Sequence, residues 1–276
     1  MLSSFYRVAY NEELGRGASG QVYVGYRKSD NVKSAVKIIF KKNMTESLVR
    51  SVTNEIRALK KLDHPNVVNL FDMYEDRVSY YICMELIAGG ELFTRIEEKT
   101  SYEEAEARRL CVHILEGLKH CHDRNIVHRD LKPENFMMVN RDDDSAVKIV
   151  DFGFATEATD NSLVGILGTP MYMSPEMWLE IPHGKPTDMW SFGVLAYIIL
   201  CGYPPFSDER RDRLVKRIVK SVYAYHTEYW SMISEDAKDF ITRLLTVDMS
   251  ERMTVDQALA HSWVLFLSSL LTLELI

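Results

Sequence analysis

The residues best suited to chemistry lie in two short segments in the middle of the chain. The segment His128–Asn135 reads HRDLKPEN, and Asp151 opens the triplet DFG directly after an apolar run at 146–150. Asp130 can accept a proton from a hydroxyl group, while Asn135 and Asp151 carry the hard oxygen ligands that suit Mg²⁺. These are the groups that a magnesium-assisted phosphoryl transfer requires.

A glycine-rich segment precedes them. Residues Gly15–Gly20 read GRGASG, and Gln21–Arg27 then alternates like a strand. A Rossmann dinucleotide site needs a helix at this point, so that interpretation fails. The pattern favours a turn between two antiparallel strands. Glycines let a backbone approach phosphates closely, but a plain hairpin turn is the simpler interpretation of the segment taken alone.

A lysine and a glutamate lie between these segments. Lys37 ends the run AVK in a β-branched strand pattern, and Glu55 lies on an amphipathic helix that follows. A buried lysine needs a partner, and a lysine held by a glutamate can orient nucleotide phosphates. Lys37 alone would be interpreted as a surface lysine.

Taken together and in this order, the segments resemble eukaryotic-type protein kinases over about residues 6–263. The resemblance implies that Asp130 is the catalytic base and that Asn135 and Asp151 hold Mg²⁺. It implies further that Lys37 and Glu55 form the ion pair of the family's nucleotide site. Ser174-Pro175-Glu176 resembles the family's Ala-Pro-Glu, with Arg252 where the family places the partner of that glutamate.

Two local sequences indicate a finer class. Lys132 and the run Gly168-Thr169-Pro170 resemble serine/threonine kinases, in which Thr169 is expected to hydrogen-bond near Asp130. The hinge sequence Met84–Leu86 and the run Gly89–Phe93 resemble the calcium/calmodulin-dependent and calcium-dependent kinases. The implied catalytic set is Asp130, Lys132, Lys37, Glu55 and Thr169.

The resemblance also implies an ATP site. The hinge backbone of Glu85–Ile87 is expected to bind adenine, and Met84 to limit the depth of the pocket. Val22, Ala35 and Met137 are expected to sandwich the ring, although ordinary core packing accounts for them as well. The complete implied set is Leu14, Gly15, Arg16, Gly17, Ala18, Ser19, Gly20, Val22, Ala35, Lys37, Met84, Glu85, Ile87, Glu91 and Met137.

Substrate choice and regulation follow from the same resemblance. Glu91 and Glu134 match positions that face a substrate arginine in basophilic kinases; the alternative is two solvated carboxylates. Arg129 is expected to meet a negative charge in the segment after Asp151. That charge is either a phosphate on Thr156, Thr159 or Ser162, or a permanent carboxylate from Glu157 or Asp160.

The elements that must position these residues fall into two groups. Strand patterns at 21–27, 34–40, 67–74 and 79–86 surround one amphipathic helix at Glu46–Leu62, and helical patterns dominate after Gly89. Capping boxes are predicted at Ser101 with Glu104 and at Thr254 with Gln257. The fold expected is therefore α+β and two-lobed, like that of protein kinases. Its small lobe spans about 1–86, its hinge about 85–90, its large lobe about 91–263, and an apolar tail covers 264–276.

Composition narrows the function classes. The chain has 276 residues, and 33 basic against 40 acidic side chains give a net charge of −7, which gives no support for nucleic-acid binding. Four cysteines without a C-x-x-C pair indicate reduced, buried thiols in a cytoplasmic protein. The longest apolar stretch, Ser191–Cys201, is too short to span a membrane and predicts a helix buried on all sides.

The partners expected are protein substrates with serine or threonine, together with ATP and magnesium. No EF-hand pattern is present, so calcium dependence would come from a calcium-sensor protein or a regulatory region outside this chain. The apolar tail is either a docking helix or the start of such a region. A pseudokinase scaffold and a small-molecule kinase are the alternatives. The intact motifs disfavour the pseudokinase. The segment Gly168–Glu176 resembles a shelf on which a substrate peptide docks, and this disfavours the small-molecule kinase.

Overall fold

The computed structural model describes residues 2–17, 20–42, 44–144 and 146–271, with the side chains of 267–271 left out. Ala18 and Ser19, which were both expected at the nucleotide site, lie outside the described residues.

The small lobe is a five-stranded antiparallel sheet with one helix. Its strands follow the order β1-β2-β3-β5-β4, and Gly17 lies opposite Gly20 at the end of the β1–β2 pair, as the glycine-rich turn predicts. The elements are β1 (Tyr6–Gly17), β2 (Gly20–Arg27), β3 (Lys33–Phe40), α1 (Glu46–Leu59), β4 (Leu70–Glu75) and β5 (Ser79–Glu85).

Helix α1 buries Val52, Ile56 and Leu59 on its inner face, as its apolar spacing predicts. It ends earlier than the predicted Leu62, because the chain leaves the helix at the C-cap Lys60. Leu62 is buried all the same, because apolar spacing reports which side chains are buried and not where the helical hydrogen bonds stop. Thr45 caps the first turn by accepting from the Leu48 amide.

The strand predicted from Val67 begins only at Leu70. The residues before it attach to the large lobe instead: the Asn66 side chain donates to the Val147 carbonyl at 3.0 Å, and the Val68 amide donates to the Ile149 carbonyl at 2.9 Å. These long-range bonds replace sheet pairing and tie the two lobes together behind the cleft.

The large lobe is built around one helix that is buried on nearly every face. Helix α5 buries Trp190, Phe192 and Tyr197 together with almost all of its other side chains, as the apolar run at 191–201 predicts. The helices of this lobe are α2 (Leu92–Lys99), α3 (Glu104–Asp123), α4 (Pro175–Trp178), α5 (Lys185–Cys201), α6 (Arg211–Val219), α7 (Thr227–Trp230), α8 (Glu235–Leu244), α9 (Val255–Leu259) and α10 (Ser262–Leu271).

Two short antiparallel pairs carry the candidate catalytic segments. They are β6 (Ile126–Val127) with β9 (Thr156–Glu157), and β7 (Phe136–Met138) with β8 (Val147–Ile149). The segment HRDLKPEN lies between β6 and β7, and DFG follows β8. The charged run at 141–144 lies in the connection between β7 and β8.

Of the two predicted capping boxes, the one at Thr254 and Gln257 is confirmed. The one at Ser101 is wrong, because α3 begins after Glu103 without a side-chain cap. The Glu104 carboxylate instead accepts hydrogen bonds from Ser234 and from the Trp263 indole at 2.9 Å. Glu104 therefore joins the first turn of α3 to α8 and α10, elements more than a hundred residues away.

The tail begins as helix α10, which contacts α3, α8 and α9. Trp263 is buried, and the Arg108 guanidinium lies over its ring at 5.5 Å. Residues 272–276 lie outside the described part of the chain, and a regulatory role for the tail stays a prediction.

Cys83, Cys111, Cys121 and Cys201 are free and buried, as expected. Within the described ranges, no helix is both long and apolar enough to cross a bilayer.

A buried ion pair connects two segments of the large lobe that are 76 residues apart in sequence. Glu176 and Arg252 meet through two bonds of 2.7 and 2.9 Å, and both side chains are almost fully buried. Burial raises the pKa of Glu176, but Arg252 outweighs burial and holds it below the usual glutamate value. The expected partnership of these two residues is confirmed.

Glu176→Gln should lower the free energy of unfolding by about 3–5 kcal/mol, because it leaves Arg252 buried without its counter-charge. Because the pKa of Glu176 is lowered by folding, this difference should be constant from pH 8 to about pH 5. It should shrink at lower pH, as the wild-type carboxylate takes up a proton and comes to resemble the amide. Urea unfolding across this pH range measures it. Asp212→Asn, in an exposed pair with Arg210, is the control and should change stability far less; equal losses would contradict the prediction.

Candidate active site

A cleft of about 330 Å³ lies between the lobes. Every expected ATP-binding residue that the structure describes lines it. The lining also includes Leu86 of the expected hinge and Phe152 of the DFG triplet, together with Leu59, Val68 and Val150, which sequence reasoning missed. Leu59, Val68 and Val150 are plain apolar residues whose only sequence signal is membership of a strand or helix pattern, so nothing in the sequence distinguishes them from core residues.

The hinge presents backbone rather than side chains to the cleft. The Glu85 carboxylate accepts from the Asn69 amide and from Lys148, both at 2.7 Å, which fixes this side chain in contacts outside the hinge backbone. Within the described ranges, the backbone N–H and C=O of Ile87 have no hydrogen-bond partner. Unsatisfied backbone groups beside an apolar cleft fit the edge of a purine base.

Lys37 bridges the two lobes. Its ammonium lies 2.6 Å from the Glu55 carboxylate on α1 and 3.1 Å from Asp151 after β8. Burial lowers the pKa of Lys37, but the two carboxylates outweigh it and hold the pKa above its usual value. Lys37 in turn keeps the pKa of Asp151 below the usual value despite burial. Lys37 and Asp151 are therefore both charged at neutral pH, as phosphate and metal binding require.

The oxygen donors fit a magnesium ion that is shared with phosphates. Asn135 donates from its amide nitrogen to the Asp130 backbone carbonyl at 2.7 Å, so its amide oxygen is left for a cation. Asp151 and Asn135 line the same cleft. Among the described residues no cluster of three or more His, Cys, Asp or Glu could hold a metal alone. Mg²⁺ is usually bound by a small number of protein oxygens together with the phosphates of the substrate.

Asp130 lies beside this cleft and is held from three sides. Its carboxylate accepts from Thr169 at 3.2 Å and from Asn135 at 3.1 Å, and the Lys132 ammonium lies 3.7 Å away. Asp130, Lys132 and Thr169 do not line the cleft itself. The structure thus brings the expected catalytic residues together as two groups, with Lys37 and Glu55 in the cleft and the Asp130 group at its side.

The fixed position of Asp130 depends on Asp188, a residue to which sequence reasoning gave no role. Asp188 lies on α5 with no exposed surface, and it accepts from the backbone amides of His128 and Arg129 at 2.9 and 2.8 Å. His122 makes a third bond at 2.9 Å. Arg129 has a φ of 67°, a costly conformation for a side chain of this size. The sequence did contain a signal for this role, because Asp188 is a charged residue in a largely apolar helix. A buried carboxylate needs hydrogen-bond donors around it.

Arg129 is the expected partner for a negative charge. Its guanidinium donates to the Phe154 carbonyl at 2.9 Å, and burial lowers its pKa. In the described ranges no carboxylate forms an ion pair with it. Glu157, one of the two carboxylates proposed for that role, instead pairs with Lys61, two residues after the end of α1, at 2.7 Å.

Comparison with known proteins agrees with this geometry. The protein kinase domain family matches residues 8–264. Calcium/calmodulin-dependent protein kinase type 1 of Macrobrachium nipponense is 46% identical over 252 residues, which cover 91% of this chain and 73% of that protein. The protein of the same name from Caenorhabditis elegans is 44% identical over 256 residues, covering 92% and 73%. Calcium-dependent protein kinase 5 of Plasmodium falciparum is 40% identical over 252 residues, covering 91% and 44%.

Asp188→Asn should loosen the segment that carries Asp130, because an amide has one acceptor oxygen and the segment needs two. The lost charge-assisted bond is worth about 1.5–3 kcal/mol. The backbone amides of His128 and Arg129 should therefore exchange hydrogen about tenfold faster or more, as measured by mass spectrometry on a peptide that covers them. Asp123→Asn, at an exposed carboxylate of α3, is the control. Unchanged exchange in Asp188→Asn would contradict the anchoring role.

Proposed function

Because the chain belongs to the protein kinase family and is a serine/threonine protein kinase, we propose that it transfers the γ-phosphate of ATP to serine and threonine hydroxyls of proteins, through Asp130. The observation that carries this assignment is the placement of Asp130 between Thr169, Asn135 and Lys132, beside the cleft that holds Lys37 and Asp151.

Asp130 accepts the proton of the substrate hydroxyl as the oxygen attacks phosphorus. Thr169 and Asn135 each bind one of its carboxylate oxygens, so the side chain cannot turn away from the substrate. Lys132 is close enough to offset the negative charge of the transferred phosphoryl group. These groups need no rearrangement during the reaction, which is how positioning lowers the barrier.

Lys37 binds phosphate oxygens of the nucleotide, and Glu55 fixes the direction of its ammonium. Asn135 and Asp151 are the residues that would hold magnesium. When bound, magnesium–ATP supplies the phosphoryl group and neutralises charge on the leaving oxygens. The Ile87 backbone receives the adenine edge, and Val22, Ala35 and Met137 contact its faces.

Substrates with arginine N-terminal to the phosphorylated residue suit this site. Glu134 lines the cleft, and its Oε2 is buried with no partner among the described residues. An unsatisfied buried carboxylate oxygen is costly, and a guanidinium would satisfy it in a directional pair. Glu91 is exposed at the start of α2 and lines the same cleft, where it adds negative potential.

Regulation by a calcium sensor is part of the proposal, because relatives at 40–46% identity carry the names of calcium- and calmodulin-dependent kinases. A cytoplasmic location agrees with the four free, buried thiols. A phosphate on Thr156, Thr159 or Ser162, or the permanent carboxylate of Asp160, would neutralise the charge of Arg129. No observation favours the pseudokinase alternative, because Lys37 and Asp130 with their partners are all present.

Asp130→Asn should reduce kcat by about a hundredfold to ten-thousandfold, because the amide cannot accept the hydroxyl proton. The dissociation constant for ATP should stay unchanged, since Asp130 does not line the nucleotide cleft. Single-turnover transfer to a serine peptide and equilibrium nucleotide binding measure the two effects. Asp142→Asn, at an exposed carboxylate of the β7–β8 connection, should behave as wild type, and full activity in Asp130→Asn would exclude the assignment.

Glu134→Gln should raise KM about tenfold or more for a serine peptide with arginine before the phosphosite, because a charge-assisted pair is lost. KM for the same peptide with alanine in place of arginine should not change, and steady-state kinetics on both peptides isolates the pair. Glu98→Gln, at an exposed carboxylate of α2, is the matched control. A peptide-array screen without basic preference would contradict this proposal while leaving phosphoryl transfer intact.

A further inference from the structure

Helix α6 carries a basic surface on a chain whose net charge is negative. Residues 207–220 contain three acidic side chains and the six exposed cations that define this surface: Arg210, Arg211, Arg213, Lys216, Arg217 and Lys220. The segment therefore has a formal charge of +3 on a chain of −7. Arg213, Lys216, Arg217 and Lys220 follow the spacing i, i+3, i+4, i+7, so they share one face of the helix. Ile218 is buried on the opposite face.

Internal contacts account for only half of these cations. Arg210 pairs with Asp212 at 2.9 Å, Arg217 donates to the Ser207 carbonyl, and Arg211 lies over the Trp178 ring at 5.2 Å. Arg213, Lys216 and Lys220 form no hydrogen bond or ion pair within the part of the chain that the structure describes, and Lys216 interacts with the Asp212 carboxylate, one turn earlier, only through its charge. Three adjacent cations are thus left to solvent on one ridge.

The helix dipole accounts for only part of this positive charge. Cations stabilise the last turn of a helix and destabilise the first. Lys216 and Arg217 lie in the last turn of α6, where they are favourable. Arg210 is the N-cap and Arg211 and Arg213 lie in the first turn, where the helix dipole opposes them. The dipole therefore accounts for Lys216 and Arg217 but not for the three arginines at the start of α6.

The surroundings of the basic surface indicate what binds. Helix α6 packs against α4, which begins within the Gly168–Glu176 stretch expected to support the substrate peptide. Directly after α4, Leu179 and Ile181 expose about half of their side chains. A polypeptide that leaves the peptide shelf thus meets exposed apolar side chains next to a ridge of cations.

We propose that the basic surface of α6, with Leu179 and Ile181, is a docking site for an acidic segment of the protein substrate that also carries apolar side chains. The proposal rests on the function proposed above and adds a second recognition element to it. The cleft selects a basic residue close to the phosphosite, and α6 selects acidic residues distant from it. A substrate must then carry both a basic residue and an acidic segment to bind well. Proteins that carry only one of the two bind more weakly.

A polypeptide suits this surface better than an anionic bilayer does. The cations occupy a single ridge of about two to three helical turns, and the rest of the chain is acidic enough to be repelled by a charged plane. A flexible acidic segment can reach the ridge while its serine occupies the active site, and tethering then raises its effective concentration.

The test compares two peptides and three proteins. One peptide carries arginine before the serine, and the other is the same peptide extended by a flexible linker and a segment of alternating acidic and apolar residues. For wild type, the extension should lower KM about tenfold at low ionic strength and by much less at high salt. Arg213→Glu/Lys216→Glu should lose this gain and keep the wild-type kinetics on the short peptide.

Lys33→Glu/Arg77→Glu is the matched control, because it reverses two exposed cations of the small lobe and changes the net charge equally. It should retain the full gain. An extension that gives wild type no gain, or a gain that survives in Arg213→Glu/Lys216→Glu, would overturn the docking proposal. A different result would also overturn it: wild type binds phosphatidylserine vesicles in a salt-sensitive way, Arg213→Glu/Lys216→Glu abolishes this binding, and the peptide extension has no effect on KM. Absence of transfer to the short peptide by wild type would contradict the proposed function instead.

Discussion

A single buried carboxylate determines the geometry of the catalytic segment. Asp188 projects from α5, the helix at the centre of the large lobe, and accepts three hydrogen bonds from the segment and from α3. Burial raises its pKa, but His122, His128 and the Arg129 amide outweigh burial and keep it low. The anion compensates for the left-handed conformation of Arg129, which costs of order 1–3 kcal/mol. Asp130 is therefore placed by a rigid core and not by the loop that contains it.

The second constraint is electrostatic and acts across the cleft. Lys37 belongs to the small lobe and Asp151 to the large lobe, so their contact depends on how the lobes are placed. Glu55 on α1 is the third member, and its Oε2 remains buried without a partner among the described residues. A shift of α1 would leave Lys37 with one carboxylate and change the direction of its ammonium. Movement of α1 would thus change the contacts of Lys37 and Asp151, the two residues proposed to bind the nucleotide and the metal.

Sequence reasoning succeeded where spacing reports local geometry and failed where distant contacts decide. The strands around the glycine-rich turn, the buried helix α5 and the cap at Thr254 follow from periodicity and local hydrogen bonding. The start of α3 does not, because Glu104 is taken by Ser234 and Trp263 rather than by its own helix. The predicted start of β4 was wrong for the same reason, because the Val68 amide donates a hydrogen bond to the large lobe and not to the sheet. The order of the motifs predicted which residues line the cleft. The role of Asp188 could not be predicted in this way, because it depends on which backbone amides the carboxylate faces.

The most direct measurement is phosphoamino-acid analysis after incubation with Mg²⁺ and γ-labelled ATP. The substrates are a serine peptide with arginine before the phosphosite and a matched tyrosine peptide. The account predicts label on serine, none on tyrosine, and loss of label in Asp130→Asn while that variant still binds ATP. Label on tyrosine alone, or nucleotide binding by wild type without transfer to either peptide, would contradict it.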